Sequence, residues 1–503
     1  MFEDFRNKTL QEDGMIFPSN IYRQIVLQPA YDEAKKNFLT IMLQINIAHL
    51  KMLEEQGLVT TDEAKQIGVA LKKIDLNYYR LEEYNPQYED LFFRIENKLI
   101  AFAGDVAGNL HIGRSRNDMG IAIYRMTLRK KLLLLMHELL KLRDDLIAAA
   151  EEHIDTIMIG YTHTQQAQPT TFAHYLKAVI DQLERDFERM QHAYKTVNRS
   201  SMGAAALTTT GFNINRERMR DLLAFDDIIE NAWDAVAGAD YIAETASIVQ
   251  LAALNLGRTS QDFLLWATQE FNAFTLASPY VQISSIMPQK RNPVSIEHTR
   301  SLLSAVVGDA STVLQMVHNT PFGDIVDTED DMQPYLWRAI DRLIGIYNLF
   351  GSLVVTMDVN KKKLRDRAEN SFANVTELAD TLVRSEGISF RQAHSIVSKC
   401  IKVLLAHGEE SLASLTWGLA NTQSKLITGK ELNISQEDFY ETLKPESFVG
   451  VRTLLGGPAP ATMKAALERS KLNTHHLYEW VRLKESAIFE AEKQLTIFIE
   501  EWN

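Results

Sequence analysis

Three short segments concentrate the side chains that could hold an anion and move a proton. The first, residues 108–118, places Ser115, Arg116 and Asn117 immediately before a predicted helix. Guanidinium, hydroxyl and amide groups donate hydrogen bonds to carboxylates, and the free N–H groups at a helix N-terminus also favour an anion. The segment therefore predicts either a carboxylate-binding site, with Arg114 supplying a second guanidinium, or a polar loop that caps a helix.

The second segment, residues 160–169, contains one histidine, His163, next to Thr162, and ends at Pro169. Imidazole is the side chain whose ordinary pKa lies nearest to neutral pH, so His163 is a candidate proton donor. A lone histidine is more often structural than catalytic, and the residues by themselves leave both interpretations open.

The third segment, residues 283–293, carries Ser284, Ser285, Lys290 and Asn292 between two helical blocks. Two prolines within six residues prevent a regular helix from running through it. Long loops with this chemistry often close over a substrate. The alternative is a simple crossover between helices.

Motifs for several other functions are missing from the sequence. It has no glycine-rich nucleotide-binding loop, no metal-binding H-E-x-x-H and no nucleophile elbow. His475-His476 is an isolated pair, predicted to lie on the surface, and no metal site is expected. The single cysteine, Cys400, lies among apolar residues and is predicted to be a buried structural thiol in a reducing compartment.

The composition favours an all-α fold. The 503 residues include only 23 Gly and 12 Pro, and residues 87–168, 170–278 and 335–444 contain no proline, which favours long helices. A formal charge of −13 argues against a nucleic-acid partner, and the basic runs at 129–131 and 361–363 are interpreted as solvated helix surfaces. The N-terminus lacks signal-peptide features and apolar runs are short, so a cytoplasmic protein without a membrane partner is expected.

These helices must position the three segments. A long helix is predicted from Asn117, capped by Asn117 or Asp118, to about His153. Residues 242–256 are apolar over most of a helical surface, which predicts burial in a bundle or an oligomer. Strand patterns are scarce, and residues 208–212 are the best candidate for a short extended segment or hairpin.

The three segments resemble the signature blocks of the fumarase/aspartase superfamily, and the chain as a whole is most similar to the argininosuccinate lyase family. S-S-I-M-P-Q-K-R-N-P resembles the signature loop, and H-I-G-R-S-R-N-D and G-Y-T-H-T-Q-Q-A-Q-P resemble the two other blocks, in the family's order. Further similarity lies in residues 202–216, 230–236 and 456–460. The resemblance covers most of residues 40–465.

The resemblance implies an all-α subunit with a long central helical bundle and three domains, at residues 1–113, 114–364 and 365–503. It also implies a homotetramer in which each active site is built from three subunits. The implied reaction is the reversible β-elimination of fumarate from an N-substituted aspartate, without a cofactor. The reaction requires removal of a weakly acidic proton next to a carboxylate and stabilisation of the resulting extra negative charge.

Roles for single residues also follow from the resemblance. Ser284 matches the base, with Ser285 as the alternative, and Lys290 and Asn292 match groups that stabilise the intermediate. His163 matches the acid that protonates the leaving amine, and Glu297 matches the carboxylate that orients it. The substrate-binding residues implied are Ser115, Arg116, Asn117, Thr162, Ser285, Met287, Gln289, Asp324 and Glu329.

Several positions depart from the family pattern. Ile283 stands where the signature has glycine, and Phe92 stands where histidine is common. In residues 321–333, which align with the part that holds arginine, the usual Tyr, Lys, Gln and Lys are replaced by Asp324, Val326, Glu329 and Met332. Argininosuccinate remains the best single substrate. The additional carboxylates leave open an alternative substrate, an aminopolycarboxylate whose leaving group bears amines. A further alternative is a crystallin-like structural tetramer without catalytic activity.

Overall fold

The computed structural model describes residues 1–502 and confirms the all-α prediction. Helices account for 70% of the chain. The N-terminal part contains seven of them, with one π-helical turn at Arg23–Leu27 and a 3-10 segment at Gly104–His111. They are α1 (Phe2–Asp13), α2 (Asn20–Tyr22), α3 (Gln28–Asn37), α4 (Leu39–Glu55), α5 (Thr61–Lys72), α6 (Leu76–Leu81) and α7 (Leu91–Ala103).

Long helices of the central part form the bundle that the proline-free blocks predict. Helix α8 packs against α9 and α14, and α12 packs against α9 and α13. In α12 the apolar stripe within residues 242–256 is buried as expected, whereas Leu254, off that stripe, is 48% exposed. The central helices are α8 (Arg116–Glu152), α9 (Phe172–Val197), α10 (Arg216–Leu222), α11 (Ala232–Ala237), α12 (Asp240–Trp266), α13 (Val294–Val317) and α14 (Gln333–Thr356).

The C-terminal part forms a smaller second core between residues 378 and 439. Cys400 belongs to it and is buried, which confirms the predicted burial, and this burial raises the pKa of its thiol to about 12. The last helix leaves this core and packs along α8. The helices are α15 (Lys361–Glu369), α16 (Val375–Glu386), α17 (Phe390–Ala406), α18 (Trp417–Thr428), α19 (Gln436–Thr442), α20 (Pro445–Gly450) and α21 (Pro460–Glu501). The three-domain division at residues 113 and 364 stays a prediction.

Strands are short, and the one substantial hairpin is absent from the sequence prediction. It pairs β1 (Ile157–Thr162) with β2 (Gln165–Thr171) in antiparallel register. Residues 208–212, predicted to be extended, form turns and bends, so that prediction is wrong. The remaining strands have two residues each: β3 (Arg199–Ser200), β4 (Asp227–Ile228), β5 (Phe274–Thr275), β6 (Gln282–Ile283), β7 (Arg291–Asn292) and β8 (Asp358–Val359).

The start of α8 corrects two further predictions. Its N-cap is Ser115, and Asp118 closes a capping box from the third helical position, so neither Asn117 nor Asp118 is the cap. In the basic run at 129–131, Arg129 is buried and donates hydrogen bonds to the carbonyl oxygens of Leu223 and Ala224. The run is therefore only partly a solvated surface.

One segment, Asp327–Thr356, is long and apolar enough to meet the length and composition of a membrane-spanning helix. Half of its most apolar window is buried within the structure, where α14 packs against α8 and α13. Its apolar residues are thus accounted for by the core of the bundle.

Trp502 packs against the N-terminal part of the protein, and this contact gives a stability prediction. Trp502 is buried against α5, where a Cβ atom added at Gly68 would lie 2.6 Å from its ring. We expect Gly68→Ala to lower the free energy of unfolding by about 1–3 kcal/mol, because a rigid ring must move. Urea unfolding followed by circular dichroism measures this. Gly418→Ala, whose added Cβ meets only Thr416 at 4.0 Å, is the control, and an equal effect of both substitutions would contradict the prediction.

Candidate active site

The hairpin β1–β2 presents Thr162 and His163 at its tip. Thr162 pairs with Gln165, so His163 and Thr164 form a two-residue turn. Both turn residues have positive φ, 51° and 61°, a backbone conformation that costs non-glycine residues about 1–2 kcal/mol each. The turn exposes both the imidazole and the Thr162 hydroxyl. The structure thus holds His163 at the end of the hairpin in a strained backbone conformation.

The N-terminus of α8 carries the predicted anion-binding group. The Ser115 hydroxyl donates to Asn117 Oδ1 at 2.8 Å and caps the helix by accepting from the Asn117 N–H. Arg116 is exposed, but Arg114 is buried and donates to Asn46 Oδ1 at 2.7 Å. The segment therefore caps a helix, as one interpretation expects, and exposes one of the two guanidiniums, while carboxylate binding stays a prediction.

Arg116 is fixed by partners on α7. Asp90 forms an ion pair with it and also caps α7 by accepting from the Phe93 N–H at 2.9 Å. The guanidinium carbon lies 4.7 Å from the centre of the Phe93 ring and 5.6 Å from that of Phe92. Phe92, the residue found where the family often has histidine, thus serves as a cation–π partner of Arg116.

The signature loop is closed by a short ladder between β6 and β7. The Ser284 N–H donates to the Lys290 carbonyl oxygen at 3.4 Å, across the loop. Ser284 Oγ accepts hydrogen bonds from the N–H groups of Met287, at 3.1 Å, and Ile286, at 3.4 Å. Ile283 lies in the strand β6 without a positive φ, so the missing glycine imposes no backbone strain.

The other residues predicted for this region lie on or just after the same loop. Ser285, Met287, Gln289 and Lys290 are exposed on the loop, and Asn292 lies in β7. Glu297 is in the first turn of α13 and is exposed. Within residues 1–502, no hydrogen bond or ion pair joins this loop to the hairpin tip or to the start of α8, so the three segments make no direct polar contact within one chain.

The acidic segment lies beside Arg116. A π-helical turn, Asp327–Asp331, places Glu329 and Asp330 at a cavity of about 110 Å³ that Asp90 and Arg116 also line. Burial, a hydrogen bond shared with the Asp324 carboxyl group and nearby carboxylates together raise the pKa of Glu329 to about 8. The structure therefore joins the first polar segment to the predicted positions Asp324 and Glu329.

Three residues at the cavity beside Arg116 were not predicted from the sequence. Asp90 and Asp330 line the cavity, and Tyr124 donates from its hydroxyl to Asp330 Oδ1 at 2.8 Å. Asp90 precedes a helix as an N-cap, a position that could have drawn attention to it. Tyr124 falls inside the apolar pattern of α8, where nothing in the local sequence distinguishes it from core.

The helical bundle, the signature loop and the polar start of α8 together define a lyase of the fumarase/aspartase superfamily. The model of the family described as Lyase matches residues 25–308, and that described as Argininosuccinate lyase C-terminal matches residues 372–450. The chain belongs to the argininosuccinate lyase family of carbon–nitrogen lyases.

Similar proteins extend over almost the whole chain. Argininosuccinate lyase 2 of Agrobacterium fabrum is 41% identical, with 91% of each chain covered. Argininosuccinate lyase of Methanosarcina mazei is 35% identical, with 96% of this chain and 99% of the relative covered. Among solved structures, EDDS lyase in complex with formate is 30% identical with a TM-score of 0.85, and 95% of each chain is covered.

Proposed function

We propose that this lyase cleaves argininosuccinate to arginine and fumarate. The observation that carries the proposal is the charge of the cavity beside Arg116, where one guanidinium faces the carboxyl groups of Asp90, Glu329 and Asp330. Such a site attracts a ligand that is anionic at one end and cationic at the other. The succinate end of argininosuccinate carries two carboxylates, and its arginine end carries a guanidinium and an ammonium group.

The proposed mechanism begins at the signature loop. Ser284 removes the proton from the carbon next to a substrate carboxylate, and the electron pair remains on the aci-carboxylate, which Lys290 and Asn292 stabilise. The two N–H groups that point at Ser284 Oγ favour negative charge on that oxygen, and this supports its use as a base. Ser285, Met287 and Gln289 close over the substrate from the same loop.

The second step breaks the C–N bond. The electron pair of the aci-carboxylate forms the double bond of fumarate, and the bonding pair leaves with the nitrogen. His163, oriented by Glu297, supplies the proton to the departing amine. Ser115, Arg116, Asn117 and Thr162 hold the two carboxylates of the succinate end, and Asp324 and Glu329 face the departing cationic group. Neither step requires a metal or a cofactor.

The separation of the three parts supports a shared site. The hairpin tip, the signature loop and the start of α8 are exposed, and no contact among them within residues 1–502 completes a catalytic set. A homotetramer working in the cytoplasm, in which each active site takes one part from each of three subunits, would bring them together. Gel filtration with light scattering should give about four times the 57.2 kDa chain mass.

The function is tested by mixing the purified protein with argininosuccinate and following fumarate by its ultraviolet absorbance. We expect fumarate and arginine in equal amounts, without added metal and in the presence of a chelator. Absence of fumarate from argininosuccinate and from every other N-substituted aspartate supplied would contradict the proposal. That result would favour the alternative of a crystallin-like structural tetramer.

A second candidate substrate is an aminopolycarboxylate. It is favoured by the structural likeness to EDDS lyase and by Val326 and Met332, which stand where the family has cationic donors. Met332 is buried in the core, so it takes no part in binding. The acidic cavity attracts the amine groups of such a leaving group, but it repels the further carboxylates that the same leaving group carries. We therefore expect kcat/KM to be higher for argininosuccinate, and the same absorbance assay measures both.

A further inference from the structure

His174, which the proposed mechanism does not use, joins the root of the hairpin to the C-terminal part. Its Nε2 lies 2.9 Å from the carbonyl oxygen of Gly456, and its Nδ1 lies 2.8 Å from Thr170 Oγ1. A carbonyl oxygen can only accept, so Nε2 carries the hydrogen. In the neutral ring Nδ1 then accepts from the Thr170 hydroxyl. Both ring nitrogens therefore form hydrogen bonds, Nδ1 with Thr170 in strand β2 and Nε2 with Gly456 in a turn far along the chain.

The turn that accepts this hydrogen bond is shaped by two glycines and anchored by an ion pair. Gly456 has φ of 84°, and a Cβ atom added at Gly457 would lie 2.1 Å from the carbonyl oxygen of Arg452, so two glycines are needed to shape it. Arg452 donates to the buried carboxylate of Glu377 at 2.7 Å. Arg384 pairs with the other oxygen of that carboxylate. The turn is therefore anchored to α16 by a buried ion pair.

Further contacts hold the base of the hairpin. Strand β2 continues directly into α9, because Thr171 ends the strand and caps the helix by accepting from the His174 N–H. A second tie links the strand to α16, where Gln168 Nε2 donates to Thr376 Oγ1 at 3.2 Å. The exposed tip beyond these ties carries His163, so any tilt of the root displaces the imidazole.

We propose that His174 is a positioning residue that sets the distance between the His163 imidazole and the leaving amine. The inference rests on the proposed function, because it assigns the hairpin to amine protonation. His174 touches no reacting atom. It holds β2 against the Gly456 turn, so its loss should slow C–N cleavage while leaving proton removal by the signature loop intact.

The test compares His174→Ala with His174→Gln, whose amide nitrogen can still donate to the Gly456 carbonyl. For His174→Ala we expect kcat for fumarate release to fall about 10- to 100-fold with KM within about twofold, as for a displaced catalytic group. We expect His174→Gln to recover most of this loss. His192→Gln, on the same helix with a side chain 78% exposed, is the control and should match the wild type.

The distinguishing measurement is exchange of the abstracted substrate proton with solvent deuterium. In His174→Ala we expect deuterium to enter recovered substrate at the wild-type rate while fumarate release is slow. Equal losses of exchange and release would assign His174 a general structural role and overturn the inference, as would wild-type release by His174→Ala. Absence of fumarate from the wild-type protein would instead overturn the proposed function, and the inference with it.

Discussion

Replacing Ser284 with alanine is expected to lower fumarate release from argininosuccinate by about 1,000-fold, within the range found when a general base is lost. The hydroxyl oxygen is the only group at this position that can accept the substrate proton, and it already accepts two backbone N–H bonds that favour its ionised form. Alanine removes the oxygen together with these two hydrogen bonds, while the bond from the Ser284 N–H to the Lys290 carbonyl oxygen still closes the loop. KM should change little, because Ser284 contributes to the transition state more than to substrate binding.

Ser285→Ala is the matched control, since it removes the same group from the next residue, which is exposed on the same loop. We expect it to retain activity within about tenfold of the wild type, as for loss of one neutral hydrogen bond. Stopped assays with high enzyme concentration measure both variants. If Ser285→Ala loses more activity than Ser284→Ala, the two serines exchange roles and the assignment of the base is wrong.

The helical architecture could be predicted because its causes are local. Scarce glycine and proline, and apolar residues recurring along 242–256, act within a few turns of the chain. The hairpin could not be predicted, because its turn, His163-Thr164, has none of the glycine or asparagine that usually marks positive φ. The predicted start of α8, Asn117, is one residue from the observed start, Arg116. The capping residue could not be predicted, because several neighbouring polar side chains can accept a hydrogen bond from the helix N-terminus.

In the candidate site, too, the residues that are neighbours in sequence could be predicted, and those brought together by packing could not. Ser115, Arg116 and Asn117 are neighbours in sequence, so their chemistry was visible as a motif. Asp90 and Asp330, which surround Arg116, come from segments far apart along the chain. Only the packing of α7 and the π-helical turn against α8 brings them together. Long-range pairing of this kind leaves no local pattern in the sequence.

The acidic cavity should select the substrate, and removing its charge should change the selection. In a double variant, Asp324→Asn with Glu329→Gln, assayed at pH 9 where Glu329 is ionised, we expect the ratio of kcat/KM for argininosuccinate to that for an aminopolycarboxylate to fall about 100-fold, or about 2.7 kcal/mol. Arginine leaves with two cationic groups and one carboxylate, so it loses attraction. The amine of an aminopolycarboxylate carries more carboxylates and loses repulsion. Initial rates with both substrates measure the ratio.

The pH dependence of this selection follows from the pKa of Glu329, which burial, the bond to Asp324 and neighbouring carboxylates raise to about 8. At pH 7 the group is mostly protonated and neutral, and between pH 7 and 9 it gains negative charge. KM for argininosuccinate should therefore fall over this interval in the wild type and stay flat in Glu329→Gln. Asp327→Asn removes one charge from the same π-helical turn outside the cavity lining and controls for the general field. A flat KM in the wild type, or an unchanged substrate ratio in the double variant, would show that these carboxylates do not face the leaving group.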